Sequence, residues 1–260
     1  SRNQLDLLKT LHQEKPDVIF NALHGKYGED GCIQGLLDML QIPYTSSGRA
    51  ASTLAMNKPL AKIMFSKAGV PIANSIISTY EELALNNPIP RPFVIKPIDE
   101  GSSVGVQIIR NTNQNLNKYY NQAESLKPVM VEEYVPGREL TVAVMGNTPL
   151  AITEITTGNG FYDYNAKYDN GGSEHIIPAE LPKDLYDKIL SAAKSAHRAL
   201  GCRGITRADF RLNNSNFYLL EINTQPGLTN TSLVPEQANY KGIHFNDLIK
   251  WMVDKAECDE

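Results

Sequence analysis

Two short segments near the C-terminal end carry side chains suited to holding a charged ligand. Arg207-Ala208-Asp209 sets a cation and an anion two residues apart, which in a strand is the same face. Glu221-Ile222-Asn223 does the same with a carboxylate and an amide. Asn213-Asn214-Ser215 between them reads as a hairpin turn, so the two faces are expected to meet. Three oxygen donors beside an arginine suit a magnesium ion that carries phosphate. A solvated polar face on an edge hairpin is the other reading of the same residues. Asn223-Thr224-Gln225-Pro226-Gly227 then makes a tight turn after the presumed ligands. There the backbone N–H of Gly227 is available to a developing negative charge, or the segment is simply a loop.

Lysines and acids earlier in the chain suit the rest of such a ligand. Lys96 ends the apolar run Phe93-Val94-Ile95 and precedes Glu100-Gly101-Ser102-Ser103-Val104-Gly105. A lysine at a strand end beside a glycine–serine loop serves phosphates, with the loop N–H groups as further donors. The spacing is neither a P-loop nor a dinucleotide fingerprint, and a purely structural turn explains it as well. Lys58 at a helix start reads equally as a solvated side chain. Val131-Glu132-Glu133-Tyr134-Val135 is a strand with two adjacent acids, followed by Glu139 after a Pro-Gly turn. A carboxylate there accepts from a ribose hydroxyl or an adenine amino group, or it is a surface acid.

The elements that must position these groups follow from periodicity and breakers. The leucines at 5, 7, 8 and 11 predict a helix that Pro16 stops. Val18 to Ala22 reads as a buried strand, His24 to Gly31 as a glycine-rich loop, Cys32 to Leu40 as a helix and Gln41 to Tyr44 as a short strand. That order is a βαβ unit and predicts a parallel α/β sheet. Helices are expected at Lys58–Ala68, from a capping box at Ser78 or Thr79 to about Leu85, at Asn115–Leu126, Pro182–Leu200 and Phe245–Ala256. Strands are expected at Phe93–Pro97, Val106–Ile109, Val129–Val135, Leu140–Met145, Leu150–Ile155, Gly204–Leu212 and Asn216–Ile222. The polar stretch from Thr156 to Glu174 is long for a loop inside a compact domain, which points to a functional or a disordered segment.

Composition narrows the class. The chain has 260 residues, 42% of them hydrophobic and 21% charged, which suits a soluble globular protein. A net charge of −4 argues against a phosphate-backbone binder, so no nucleic-acid partner is expected. No apolar run approaches a membrane span, and the start is polar rather than a signal peptide. Cys32, Cys202 and Cys258 form no metal spacing and no even disulfide set, as in a reducing, cytoplasmic compartment. The first strand-like run comes only at Asp17-Val18-Ile19-Phe20, so the chain is expected to begin inside a domain.

Together the motifs resemble the ATP-grasp superfamily and, within it, the D-alanine–D-alanine ligase family. The resemblance runs from about residue 18 to 250. It is carried in order by Ala22-Leu23-His24-Gly25, Gly28-Glu29-Asp30-Gly31, Met56-Asn57-Lys58, Val94-Ile95-Lys96-Pro97, the Glu100–Gly105 loop and Phe161-Tyr162-Asp163-Tyr164-x-x-Lys167-Tyr168. Gly204-x-x-Arg207-x-Asp209, Leu220-Glu221-x-Asn223-Thr224-x-Pro226-Gly227 and Thr231-Ser232-Leu233-Val234-Pro235 complete it.

The resemblance implies an α/β and α+β ATP-grasp fold. An incomplete N-terminal parallel α/β domain (1–57) would precede a central lobe (58–139) and a C-terminal lobe (140–260). It implies that Lys58, Lys96 and Lys167 meet ATP phosphates. Glu132 would take the adenine amino group, with Glu133, Tyr134 and Val135 beside the base, and Glu139 the ribose. Asp209, Glu221 and Asn223 would hold two magnesium ions, with manganese able to replace them. Arg207 and Gly227 would steady an oxyanion. Ser232 and Leu233 would receive the second substrate's carboxylate, and His24 would lie near the first. Ser102 and Tyr168 would pair at the first subsite with a glutamate expected to precede Ser1. Tyr168 is associated with dipeptide rather than D-lactate ligases, and Gln225 stands where many relatives carry serine. The implied partners are ATP and D-alanine, and a second copy of the chain in a homodimer. A nucleotide-binding module without catalysis is the alternative from another class.

Overall fold

The computed structural model describes residues 2–85, 89–101, 104–111, 125–156, 174–229 and 232–259. Ser102, Lys167 and Tyr168 lie outside the described residues, as do most of the expected helix at 115–126 and of the stretch 156–174.

Four helices come first: α1 (Arg2–Glu14), α2 (Cys32–Leu40), α3 (Arg49–Met56) and α4 (Lys58–Lys67). The α4 N-terminus is capped by Asn57, whose side chain accepts from the Leu60 N–H at 3.1 Å, and Pro59 occupies the first turn. The expected βαβ unit is present in reduced form. Ile19 and Tyr44 make one parallel bridge around α2 rather than a ladder. Val18 and Ile19 are half-buried and Phe20 is exposed, so the run is not the buried strand its composition predicts. Among the described residues it has a neighbour on one side only.

A four-stranded antiparallel sheet follows. It is built of β1 (Ser75–Thr79), β2 (Phe93–Pro97), β3 (Gln107–Ile109) and β4 (Pro128–Glu133), in the order β1-β4-β2-β3. Alternation divides its faces. Phe93, Ile95, Val129 and Val131 are buried in one core cluster, beneath α5 (Tyr80–Leu85). Val94, Lys96 and Glu132 take the opposite face. Of the two possible capping boxes the structure uses the second. The Glu82 N–H donates to Thr79 Oγ1 at 3.2 Å, and the Thr79 N–H to Glu82 Oε2 at 3.0 Å.

The second sheet has five antiparallel strands in the order β7-β6-β5-β8-β9. They are β5 (Arg138–Met145), β6 (Thr148–Thr156), β7 (Glu174–Ile176), β8 (Ile205–Asn213) and β9 (Asn216–Asn223). Helices cover both faces. Helices α4 and α6 (Lys183–Ala199) pack on one face through Phe65, Ile189 and Ala193 against Val142, Phe210 and Leu219. On the other, α7 (Leu233–Tyr240) and α8 (Phe245–Asp254) bring Val234, Ala238, Leu248 and Met252 against Ala143 and Ile205. Burial on both faces is why β5 reads as a continuous apolar run. Helices α3 and α7 have no counterpart in the sequence reading, nor does β1.

Candidate functional site

The site begins at the β8–β9 hairpin. Its turn is Asn214-Ser215, with Asn214 at φ 55°, a left-handed conformation that asparagine tolerates. Asp209 stands directly opposite Glu221, and Arg207 opposite Asn223. One irregularity makes this possible. The register slips between Asp209 and Phe210, so that Phe210 pairs with Leu219 and Leu220 is the extra residue. Without that bulge, Leu219, Glu221 and Asn223 would share a face. With it, Leu219 and Ile222 enter the core while Leu220 and Glu221 both line the cleft.

Asp209 and Arg207 are bound to each other. Arg207 Nε donates to Asp209 Oδ1 at 2.9 Å and Nη2 to Oδ2 at 2.7 Å, a two-point contact that fixes the guanidinium plane. Thr141 on β5 donates its hydroxyl to Asp209 Oδ1 at 2.7 Å. Asn223 Oδ1 accepts from the Gln225 N–H at 2.9 Å, which shapes the turn that follows. Beyond that turn, Gly227 lies against Ser232. A Cβ on Gly227 would stand 2.9 Å from Ser232 Oγ, so a larger residue would have to displace that hydroxyl. Ser232 is the N-cap residue of α7 and its hydroxyl lies 2.8 Å from that of Thr229. The Leu233 side chain is buried in the core, which leaves its backbone N–H, not its side chain, for a ligand.

The opposite wall comes from α4 and the four-stranded sheet. Lys58, Val94, Lys96, Glu132, Tyr134 and Glu139 line one cleft together with Asp209, Leu220 and Glu221. Glu133 and Val135 line it too. Lys58 Nζ donates to the Glu100 carbonyl at 2.5 Å, and burial pushes its ammonium below the usual lysine range. Lys96 is found on Glu132 rather than on the loop behind it. Glu139 accepts from Arg211 Nη1 at 3.0 Å. Glu133, at the exposed rim of this cleft, accepts from Asn74 Nδ2 at 3.2 Å. Tyr134 carries the Arg110 guanidinium 5.2 Å from its ring centre.

A second recess continues from the first and holds Asn223, Glu100, Gly101 and Glu29. Burial raises the Glu29 carboxyl, opposed by the Gly25 N–H, which it accepts at 2.9 Å. His24 is half-exposed, with Nδ1 3.8 Å from Glu29. The sequence reading quotes Glu29 within a motif and gives it no role; its burial could not be read from a glycine-rich loop. Lys62 is missed entirely. It is 4% exposed, and its Nζ donates to the Ala73 carbonyl at 2.7 Å and to Glu132. The available signal was its place one turn after Lys58, on the same face of α4.

Two family models match the chain: "D-ala D-ala ligase N-terminus" over residues 2–47 and "D-ala D-ala ligase C-terminus" over residues 64–254. The chain belongs to the D-alanine–D-alanine ligase family. Family members named D-alanine–D-alanine ligase include those of Rhodospirillum rubrum and Parvibaculum lavamentivorans. The first is 48% identical over 258 residues, covering 99% of this chain and 85% of the relative. The second is 50% identical over 261 residues, covering 98% and 85%. Among solved structures, the D-alanine–D-alanine ligase of Bacillus anthracis complexed with ATP superposes with a TM-score of 0.80 at 31% identity. That match covers 96% of this chain and 82% of the other. The ATP-grasp expectation for the fold therefore holds.

Proposed function

We propose that the chain joins two D-alanine molecules at the expense of ATP, through a D-alanyl phosphate, to supply peptidoglycan precursors. One observation carries the reading. Asp209 and Glu221 face each other across β8 and β9, in a cleft whose other wall bears Lys58, Lys96 and Glu132.

The donor set fits magnesium. Two carboxylates and an amide are hard oxygen donors, too few to cage an ion and enough to hold one that also takes phosphate and water oxygens. Asp209, Glu221 and Asn223 would hold two such ions, or manganese, with Glu221 touching both. Bound there, the ions draw charge from the phosphate oxygens.

The chain's own residues do the rest. The first substrate's carboxylate forms a bond to the γ-phosphorus as the β–γ bridging bond breaks, and ADP leaves. Both reactants are anions, so Lys58, Lys96 and Lys167 offset their repulsion and keep them in line. The second substrate's amine then attacks the acyl carbon, and phosphate leaves. Arg207, its plane held by Asp209, and the Gly227 N–H face the oxyanion that forms in between. Ser232 and the Leu233 N–H take the second carboxylate. His24, Ser102 and Tyr168 border the first substrate, Glu132 and Tyr134 the adenine, and Glu139 the ribose. Residues 1–57, 58–139 and 140–260 act as an N-terminal unit and two gripping lobes. The enzyme works in the cytosol as a homodimer. No helix among the described residues is long and apolar enough to cross a membrane.

The test is product analysis on the full-length polypeptide with ATP, Mg2+ and D-alanine, alone and with D-lactate or D-serine as acceptor. ADP release that requires D-alanine, with D-alanyl-D-alanine as main product, is expected. ATP binding without D-alanine-dependent ADP release would favour a non-catalytic nucleotide module, and a preference for D-lactate would overturn the choice of acceptor.

A further inference from the structure

Lys62 is a buried cation that the reaction does not use. Its side chain is 5% exposed and that of Glu132 is 2% exposed. One Glu132 oxygen takes Lys62 and the other takes Lys96. Two ammonium groups on one carboxylate leave a net positive charge at the base of the cleft.

The two lysines differ in what else holds them. Lys62 Nζ is anchored a second time by the Ala73 carbonyl at 2.7 Å. It comes from the interior side of α4 and does not line the cleft. Lys96 ends β2, lines the cleft beside Lys58, and stands at the foot of the Glu100–Gly105 loop. An arriving triphosphate competes for Lys96, not for Lys62.

We propose that Lys62 is a positioning residue that sets nucleobase specificity, as the permanent counter-ion of Glu132. It keeps the carboxylate ionised and aimed while Lys96 passes to the phosphates. The inference rests on the reading that Glu132 meets the base. An ionised carboxylate only accepts hydrogen bonds. It therefore suits the exocyclic amino group of adenine and repels the O6 acceptor that guanine presents at the same place. If Lys62 is removed and Lys96 passes to the phosphates, the buried carboxylate is left without a cation, protonates and becomes a donor, and the discrimination between bases is lost.

The experiment measures dissociation constants of non-hydrolysable ATP and GTP analogues by calorimetry. It uses the full-length wild type, Lys62→Met, Lys62→Gln and Glu132→Gln, with thermal unfolding to verify folding. Lys62→Gln keeps a donor for the Ala73 carbonyl without the charge, so it reads the same effect should Lys62→Met not fold. The adenine-over-guanine ratio is expected to fall about 10- to 100-fold in either Lys62 variant, as befits loss of a charged hydrogen bond. The KM for D-alanine should stay put. An unchanged ratio in a folded Lys62 variant, with the ratio lost in Glu132→Gln, makes Lys62 a packing residue and overturns the proposal. An unchanged ratio in Glu132→Gln instead removes the reading of Glu132 on which the proposal stands.

Discussion

Asp209 is gripped by Arg207 and Thr141, whereas Glu221, its partner across the hairpin, meets the cleft beside Lys58. The two carboxylates are thus unequal. Asp209 is fixed by protein donors, and Glu221 is the one we propose to bridge the ions. Glu221→Gln keeps the shape and a neutral oxygen but removes the charge shared with the ions. We expect kcat to fall at least about 100-fold with the fold intact, as when one electrostatic contact to the reacting phosphate is lost. A steady-state assay with circular dichroism decides, and near-normal turnover would refute the role. At this scale the sequence revealed what alternation can reveal. Arg207, Asp209, Glu221 and Asn223 were legible because they repeat at two-residue spacing around an asparagine turn. Lys62 and Glu29 were not, because burial of a charge depends on what packs over it, and neither a helix nor a glycine loop announces that.

Among the elements, the junction of α6 and β8 has a buried histidine. His197 Nδ1 lies 2.8 Å from Thr206 Oγ1, and burial pushes its pKa down to about 4. In the unfolded chain it titrates as an ordinary imidazole, near 6.5. Between those values the unfolded state binds a proton and the folded state does not, so stability declines as pH falls through this window and is unaffected above it. The loss amounts to roughly 3 kcal/mol by about pH 4. Urea unfolding of the wild type and of His197→Gln at about pH 7 and about pH 4 measures it. Equal losses in both would show that His197 is not the group responsible. The strands and helices themselves were mostly legible from alternation, caps and breakers. The bulge at Leu220 was not, for a bulge leaves the sequence pattern of a strand and alters only its partner's register. The βαβ reading shrank to one bridge because pairing depends on neighbouring strands as well as on apolar composition.

Across the whole molecule, the N-terminal unit is tied to the five-stranded sheet by the segment before β8 and by the C-terminal residues. Arg203 stacks 4.7 Å from the Tyr44 ring centre and donates to the carbonyls of Ser46 at 2.8 Å and Glu257 at 2.6 Å. Asp259 accepts from the Arg49 N–H at the start of α3 at 2.8 Å. Gln225, in the turn after Asn223, donates to the Asn21 carbonyl and adds a further tie. Arg203→Met leaves the carbonyls of Tyr44, Ser46 and Glu257 without a charged donor. It should cost about 2–4 kcal/mol, read from denaturant unfolding. A loss below about 0.5 kcal/mol would mean that water replaces the guanidinium freely. None of these ties was legible, since they join residues 54 to 210 positions apart.

The central claim is that the β8–β9 hairpin holds the divalent ions of a nucleotide. Anomalous diffraction from Mn2+ in crystals grown with a non-hydrolysable ATP analogue tests it most directly. The account predicts peaks within bonding distance of Asp209, Glu221 and Asn223, with the triphosphate reaching toward Lys58 and Lys96. Manganese bound elsewhere, with those three side chains left to protein partners alone, would contradict it.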